Sequence, residues 1–142
     1  MRRGDEEHRE QVALIRWADF ARARWPELAL LHAIPNGGQR HKAVAARMKA
    51  EGVRAGVPDL CLPMPRGRWH GLYIEMKTRR GRASPDQRWW LRALGKAGYR
   101  AEVCRGWDAA RQVIEEYMDS QPVAGAGAAG SFTPQQGELS NG

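Results

Sequence analysis

Long apolar runs are missing from this sequence of 142 residues. No stretch approaches the roughly 18–20 consecutive apolar residues that a helix needs to span a bilayer, so no membrane association is expected. The start of the chain, Met1-Arg2-Arg3-Gly4-Asp5-Glu6-Glu7, has basic residues but no apolar stretch behind them, which does not make a secretory signal. A cytoplasmic location is therefore expected. Cysteine is scarce as well. Cys61 and Cys104 each sit inside a short apolar segment without CxxC spacing, which excludes a thiolate zinc site and a disulfide framework and leaves both as core residues. His8, His32, His41 and His70 show no metal-ligand spacing and read as structural or solvent-facing. No internal repeat is visible.

Positive charge is absent from one end only. Asp119 to Gly142 contains no Lys or Arg and two of the 16 acids, so the 23 basic residues and 14 acids of residues 1–118 leave a net charge of +9 there, against +7 for the whole chain. Residues 121–142 are rich in Gly, Ala, Ser, Pro and Gln, without apolar periodicity. Such a segment cannot bury enough surface to offset the entropy of ordering. Residues 5–118 are accordingly expected to form one domain and 119–142 a disordered tail. Most of the basic residues are arginines, which suit bidentate phosphate contacts better than lysines do. A surface this basic favours a polyanionic partner, of which nucleic acid is the commonest.

Apolar periodicity predicts a helix from Glu6 to about Trp25, ended by Pro26. Leu28 to Ile34 reads as a buried strand, followed by the turn signal Pro35-Asn36-Gly37-Gly38. A second helix is expected over Gln39 to Glu51, closed by Gly52. Asp59 to Met64 and Leu72 to Lys77 read as two strands of a hairpin with a slightly long loop. Ser84-Pro85-Asp86-Gln87 is a compact helix start, with Ser84 as N-cap and Gln87 completing a capping box. That helix runs to about Ala97 and stops at Gly98. Tyr99 to Arg105 is a further strand, and Asp108 is expected to cap a last helix ending near Met118. The order α-β-α-β-β-α-β-α implies an α/β fold, a mixed central sheet flanked by helices.

The chemistry-bearing residues collect on the hairpin. Along Leu72 to Lys77 side chains alternate, so Tyr73, Glu75 and Lys77 share one face and Leu72, Ile74 and Met76 the other. Asp59, directly after Pro58, starts the preceding strand. Pairing of the two strands puts it near Glu75 to Lys77, and two carboxylates and one ammonium converge. Two hard oxygen ligands suit Mg2+ or Mn2+, and a lysine beside them suits charge stabilisation on a phosphate. Each element has a plainer reading alone: ExK is common on an exposed strand, and Pro-Asp is often only a turn.

In combination, Pro58-Asp59 and Glu75-Met76-Lys77 resemble the PD-(D/E)xK nuclease signature. Glu7-His8-Arg9-Glu10-Gln11, Asn36-Gly37-Gly38-Gln39-Arg40, Gly56-Val57-Pro58-Asp59-Leu60, Ile74-Glu75-Met76-Lys77, Gly81, Ser84, Gln87 and Gly98 are together similar to the VRR-NUC (virus-type replication-repair nuclease) domain. That domain occurs in phage proteins and in the Fanconi-associated nuclease. The resemblance implies a restriction-endonuclease-like core, a divalent metal without a small-molecule cofactor, and DNA as substrate, branched or duplex. Stand-alone phage members are similar to Holliday-junction resolvases and often act as homodimers, which implies a phage or prophage protein working on branched DNA.

Carried over residue by residue, the resemblance makes Asp59 and Glu75 metal ligands, joined by the main-chain carbonyl of Met76, and Lys77 the catalytic lysine. It places a further acid, a metal ligand and catalytic residue, on the first helix. Glu7 is preferred, sharing a face with Gln11, and Glu10 is the alternative. Both also fit a negative first turn that complements the helix dipole. Gln87 either completes the capping box, or points at the active site or the DNA backbone, or does both. Asn36, Gly37, Gly38 and Arg40 form a plain turn or present amides and a guanidinium to phosphate. Arg79, Arg80 and Arg82 adjoin the proposed metal site and can track the backbone. Trp89 and Trp90 are adjacent on a helix and cannot both enter one core, so one of them is open to a contact between copies. The competing readings are a non-catalytic DNA-binding module of the same fold, a nuclease subunit that needs a partner for specificity, and an interaction protein kept soluble by its charge.

Overall fold

The computed structural model describes residues 3–35 and 41–121. Helix α1 spans Arg3–Ala21 and is followed by a 3-10 turn at Pro26–Leu30 and the short strand β1, His32–Ala33. Then come α2 (Lys42–Ala50), β2 (Leu60–Leu62), β3 (Leu72–Lys77), α3 (Pro85–Lys96), β4 (Arg100–Arg105) and α4 (Trp107–Asp119). The four strands form one sheet in the order β1-β2-β3-β4. β1 pairs antiparallel with β2, β2 antiparallel with β3, and β3 parallel with β4. This is a mixed sheet flanked by helices, as the pattern of elements implies. Among the described residues no helix is long and apolar enough to cross a membrane.

Strand β3 lies inside the sheet, and both of its faces are covered. Leu72, Ile74 and Met76 enter a core with Leu14 of α1, Leu60 and Leu62 of β2, and Ile114 and Tyr117 of α4. Helices α1 and α4 pack on each other and on this face. The Tyr117 hydroxyl donates to the carbonyl of Met64, so the buried ring keeps a partner for its polar end. Helix α3 packs along β4 and meets the other face of β3, where Gln87 reaches Glu75. In α3 the capping box is complete: Gln87 N donates to Ser84 Oγ at 3.2 Å, and Ser84 N donates to Gln87 Oε1 at 2.8 Å.

Three expectations are corrected. Leu28 to Ile34 is not one strand, because Pro26 sets up a helical turn that buries Leu28 while His32 and Ala33 stay exposed. A proline with its fixed φ favours the first position of a helical turn. The first helix ends at Ala21, with four residues between it and the turn that begins at Pro26, and Trp25 N donates to Ala21 O at 2.9 Å. The last helix is not capped by Asp108. Its N-cap is Gly106, at φ +89° and without a side-chain cap of its own, and Asp108 lies in the first turn, where it pairs with Arg111.

Ile114 has no solvent exposure and sits at the centre of the core. Ile114→Ala is expected to lower the free energy of unfolding by about 2–5 kcal/mol, read from urea denaturation. A loss well under 1 kcal/mol would contradict this packing.

Candidate active site

The β2–β3 register pairs Leu60 with Ile74, so Asp59 stands one step beyond, beside Glu75 and Met76. There β2 has ended, and the Asp59 side chain takes over its role: Met76 N donates to Asp59 Oδ2 at 2.7 Å. Asp59 is fixed by its own backbone too, since Ile34 N donates to its carbonyl at 2.8 Å. Peptide groups of one residue point to the same side of a strand, which turns the Met76 carbonyl toward Asp59 as well. On the opposite face from the core, Lys77 Nζ lies 3.3 Å from Glu75 Oε1 and Gln87 Nε2 donates to the same oxygen at 2.9 Å. Asp59, Glu75, Lys77 and Gln87 thus come together, and the hairpin and the first turn of α3 do the positioning.

Glu75 is only 2 % exposed, and its second oxygen, Oε2, is buried without a hydrogen-bond partner. The Asp59 carboxyl is close enough for its charge to act on Glu75. Burial, reinforced by the Asp59 charge, pushes Glu75 up to about 8, against the pull of Lys77. Burial also raises Asp59, with the Met76 N–H and Lys77 opposing. Two neighbouring carboxyls, one of them almost fully buried, disfavour a second negative charge, and Lys77 offsets this only in part.

That arrangement fits a divalent metal. The donor set, two carboxylates and a main-chain carbonyl, is made of hard oxygens, and the unsatisfied Oε2 of Glu75 lacks only a positive partner. Magnesium and manganese bind such sets while retaining several waters. Among the described residues no three His, Cys, Asp or Glu side chains gather closely enough to form a ligand shell by themselves.

The two candidate acids of α1 are separated by the structure. Glu7 lines a cavity of about 410 Å3 together with His8, Gln11, Ile15 and Arg16, and Asp59 and Met76 form its far wall. Glu10 points elsewhere: its Oε2 accepts from Trp107 N at 2.6 Å. The carboxylate of α1 therefore supplies the cap that Gly106 lacks at the start of α4, a favourable place for negative charge. His8 and Arg16 were not among the residues singled out from the sequence. Their signal was there, because residues 7, 8, 11, 12, 15 and 16 repeat at helical spacing on one face.

The basic loop after Lys77 is held from below by a residue that the sequence did not flag. Arg105 Nη1 donates to the carbonyls of Thr78 at 3.0 Å and of Gly81, and Gly81 N donates to Thr78 Oγ1 at 3.0 Å. Arg79, Arg80 and Arg82 are left exposed around that anchor. Gly56 is required on the other side. It has φ +87°, and a Cβ there would come within 2.6 Å of the Asp86 backbone, so only glycine lets the segment leading to Asp59 cross the start of α3. Trp90 Nε1 donates to Ala55 O at 3.0 Å and secures the same crossing. Asn36, Gly37, Gly38 and Arg40 lie outside the described residues.

The VRR-NUC domain family matches residues 5–108 of the chain. A solved structure described as a VRR_NUC domain protein is similar at 32 % identity, covering 82 % of this chain and 91 % of its own, with a TM-score of 0.72. No match was found among the curated proteins.

Because Glu75 holds its proton in the folded chain well above the pH at which the unfolded chain loses it, metal-free stability falls as pH rises from the ordinary carboxylate range toward about 8. Glu75→Gln is expected to remove much of that fall and to raise the melting temperature above wild type at pH 8 in EDTA. An equal or steeper fall in the variant would show that Glu75 is not the group responsible.

Proposed function

The chain belongs to the VRR-NUC family, and from that premise we propose that it is a Mg2+- or Mn2+-dependent DNA endonuclease acting on branched DNA such as Holliday junctions. The family makes it a nuclease-type domain. The observation that carries the finer reading is the pair of partly buried Asp59 and buried Glu75, with one Glu75 oxygen unsatisfied and Lys77 Nζ 3.3 Å from the other. In this reading the protein works in the bacterial cytoplasm on phage or prophage DNA, as a homodimer, and needs no small-molecule cofactor.

Asp59, Glu75 and the Met76 carbonyl would hold the metal. When bound, a divalent cation draws charge from the phosphate and makes water a better nucleophile near neutral pH. Lys77 supplies a fixed positive charge where the phosphate oxygens gain negative charge, and it costs no rearrangement at that moment. Gln87 fixes the Glu75 carboxylate by donating to Oε1, the oxygen that also meets Lys77, and leaves Oε2 open. Glu7, across the cavity from Asp59, is placed to accept a proton or to orient water at the phosphorus. Arg16 in the same cavity meets the incoming phosphate, and Arg79, Arg80 and Arg82 hold the backbone on either side. Hydrolysis joins a water oxygen to phosphorus and breaks the bond to a sugar oxygen, which takes up a proton as it leaves. Asn36, Gly37, Gly38 and Arg40 would add backbone contacts.

A panel of labelled four-way junction, flap, nicked and plain duplex DNA tests this. Cleavage is expected with Mg2+ or Mn2+ and not in EDTA, with the junction cut fastest. Lys77→Ala should lower the rate on the order of 100- to 1,000-fold while binding in EDTA persists, and Asp59→Asn should weaken both metal affinity and cleavage. Full cutting in EDTA, or a wild-type rate in Lys77→Ala, would contradict the mechanism. In the same assay Glu7→Gln is expected to slow cleavage without changing the melting temperature. Glu10→Gln should lower the melting temperature and leave the rate of the folded protein near wild type. The reverse pattern would exchange their roles.

A further inference from the structure

Helix α3 has one side against the sheet and one side in water. At roughly 100° per residue, Gln87, Trp90, Leu91 and Leu94 turn inward, and Arg88, Trp89, Arg92 and Lys96 form the outward stripe. All four are exposed, and Trp89 is 57 % exposed, one of the few large apolar side chains left open in the described residues. The only acid of the helix, Asp86, is in the first turn and off the stripe. None of these three cations is in an ion pair among the described residues.

The Trp89 ring is also held in place. It meets the Trp90 ring edge-on, with centroids 5.5 Å apart and planes at 88°, and Trp90 is itself fastened to Ala55 O. An indole held open to water, with a guanidinium or ammonium before and after it, is costly as a solvated surface but suited to stacking. The helix that carries the stripe also reaches the site through its inward face, where Gln87 touches Glu75, and Arg79, Arg80 and Arg82, exposed in the segment just before the helix, add to the basic charge of this part of the chain.

We propose that the outward face of α3 binds the single-stranded arm of a branched DNA, with Trp89 stacking on an unpaired base and Arg88, Arg92 and Lys96 following its phosphates. This rests on the reading of the chain as a DNA-cutting enzyme and adds to it a contact that a branched DNA with an unpaired arm can use and a fully paired four-way junction cannot. Bases within a duplex present no free face to an indole, whereas any unpaired base does, which is why stacking platforms of this kind bind single strands with little regard to sequence. A second copy of the chain is a poor occupant, because the same stripe on it would bring three more cations.

The test uses the full chain in EDTA at low salt, with two fluorescent probes. One is a blunt duplex, and the other is the same duplex extended by a thymidine arm of about 10 nucleotides, within the usual site size. Trp89→Ala is expected to weaken binding of the armed probe on the order of tenfold and to leave the blunt duplex unchanged. Trp89→Phe keeps a stacking face and should retain most of the affinity. Arm binding should quench tryptophan emission in wild type and less in Trp89→Phe. Equal losses on both probes, no loss on either, or conversion of a dimer to a monomer by Trp89→Ala in sedimentation would overturn the proposal. If the wild type cleaves DNA with metal while Trp89→Ala treats both probes alike, this inference fails alone. If the wild type retains neither probe, the nuclease reading fails with it.

Discussion

Two carboxyl groups meet where β2 ends: Glu75, almost wholly buried, and Asp59, partly buried and close enough for its charge to act on Glu75. Left to themselves they would move apart or one would stay protonated, because like charges in a poorly solvated site repel strongly. Each neighbouring feature opposes that separation. Met76 N–H fixes Asp59, Gln87 and Lys77 fix Glu75, and Gly56 allows the Asp59 segment to press against the start of α3. The cost is a buried oxygen with no partner. The proposed metal site would give that oxygen its missing partner, in keeping with a nuclease-type domain.

The helices share the work unequally. Helix α3 closes the carboxylate face with its first turn, and the same turn begins the exposed stripe around Trp89. Helix α1 supplies the wall opposite Asp59, where Glu7, His8 and Arg16 gather. It also reaches α4, whose first amides depend on Glu10, and Gly106 N in turn donates to the Lys77 carbonyl at 3.2 Å. The lysine backbone is thus tied to α1 through a residue that takes no part in the cavity. Arg105 completes the bracing by gathering the carbonyls of the loop that follows Lys77.

Much of this was legible before any coordinates. The alternation along Leu72–Lys77, the Pro58-Asp59 pair and the Ser84–Gln87 capping box are local signals, and local signals survive folding. The α/β order followed from them. Contacts between residues far apart in the chain were not legible. Glu10 and Trp107 are separated by 97 positions, and nothing local marks a first-helix acid as the cap of the last helix, which is why Glu10 stood as the alternative to Glu7 and Asp108 looked like the cap. Arg105 was hidden for the same reason. The Leu28–Ile34 run misled because apolarity marks burial rather than conformation, and Pro26 tipped its first half into a helical turn.

Calorimetric titration of Mn2+ into the metal-free protein at pH 7, repeated in buffers of different ionisation heat, reaches the central claim most directly. If Asp59 and Glu75 share a proton that a cation must displace, binding releases close to one proton per site. Glu75→Gln then releases almost none and binds far more weakly. Binding of Mn2+ with unchanged affinity and unchanged proton release in that variant would contradict the account.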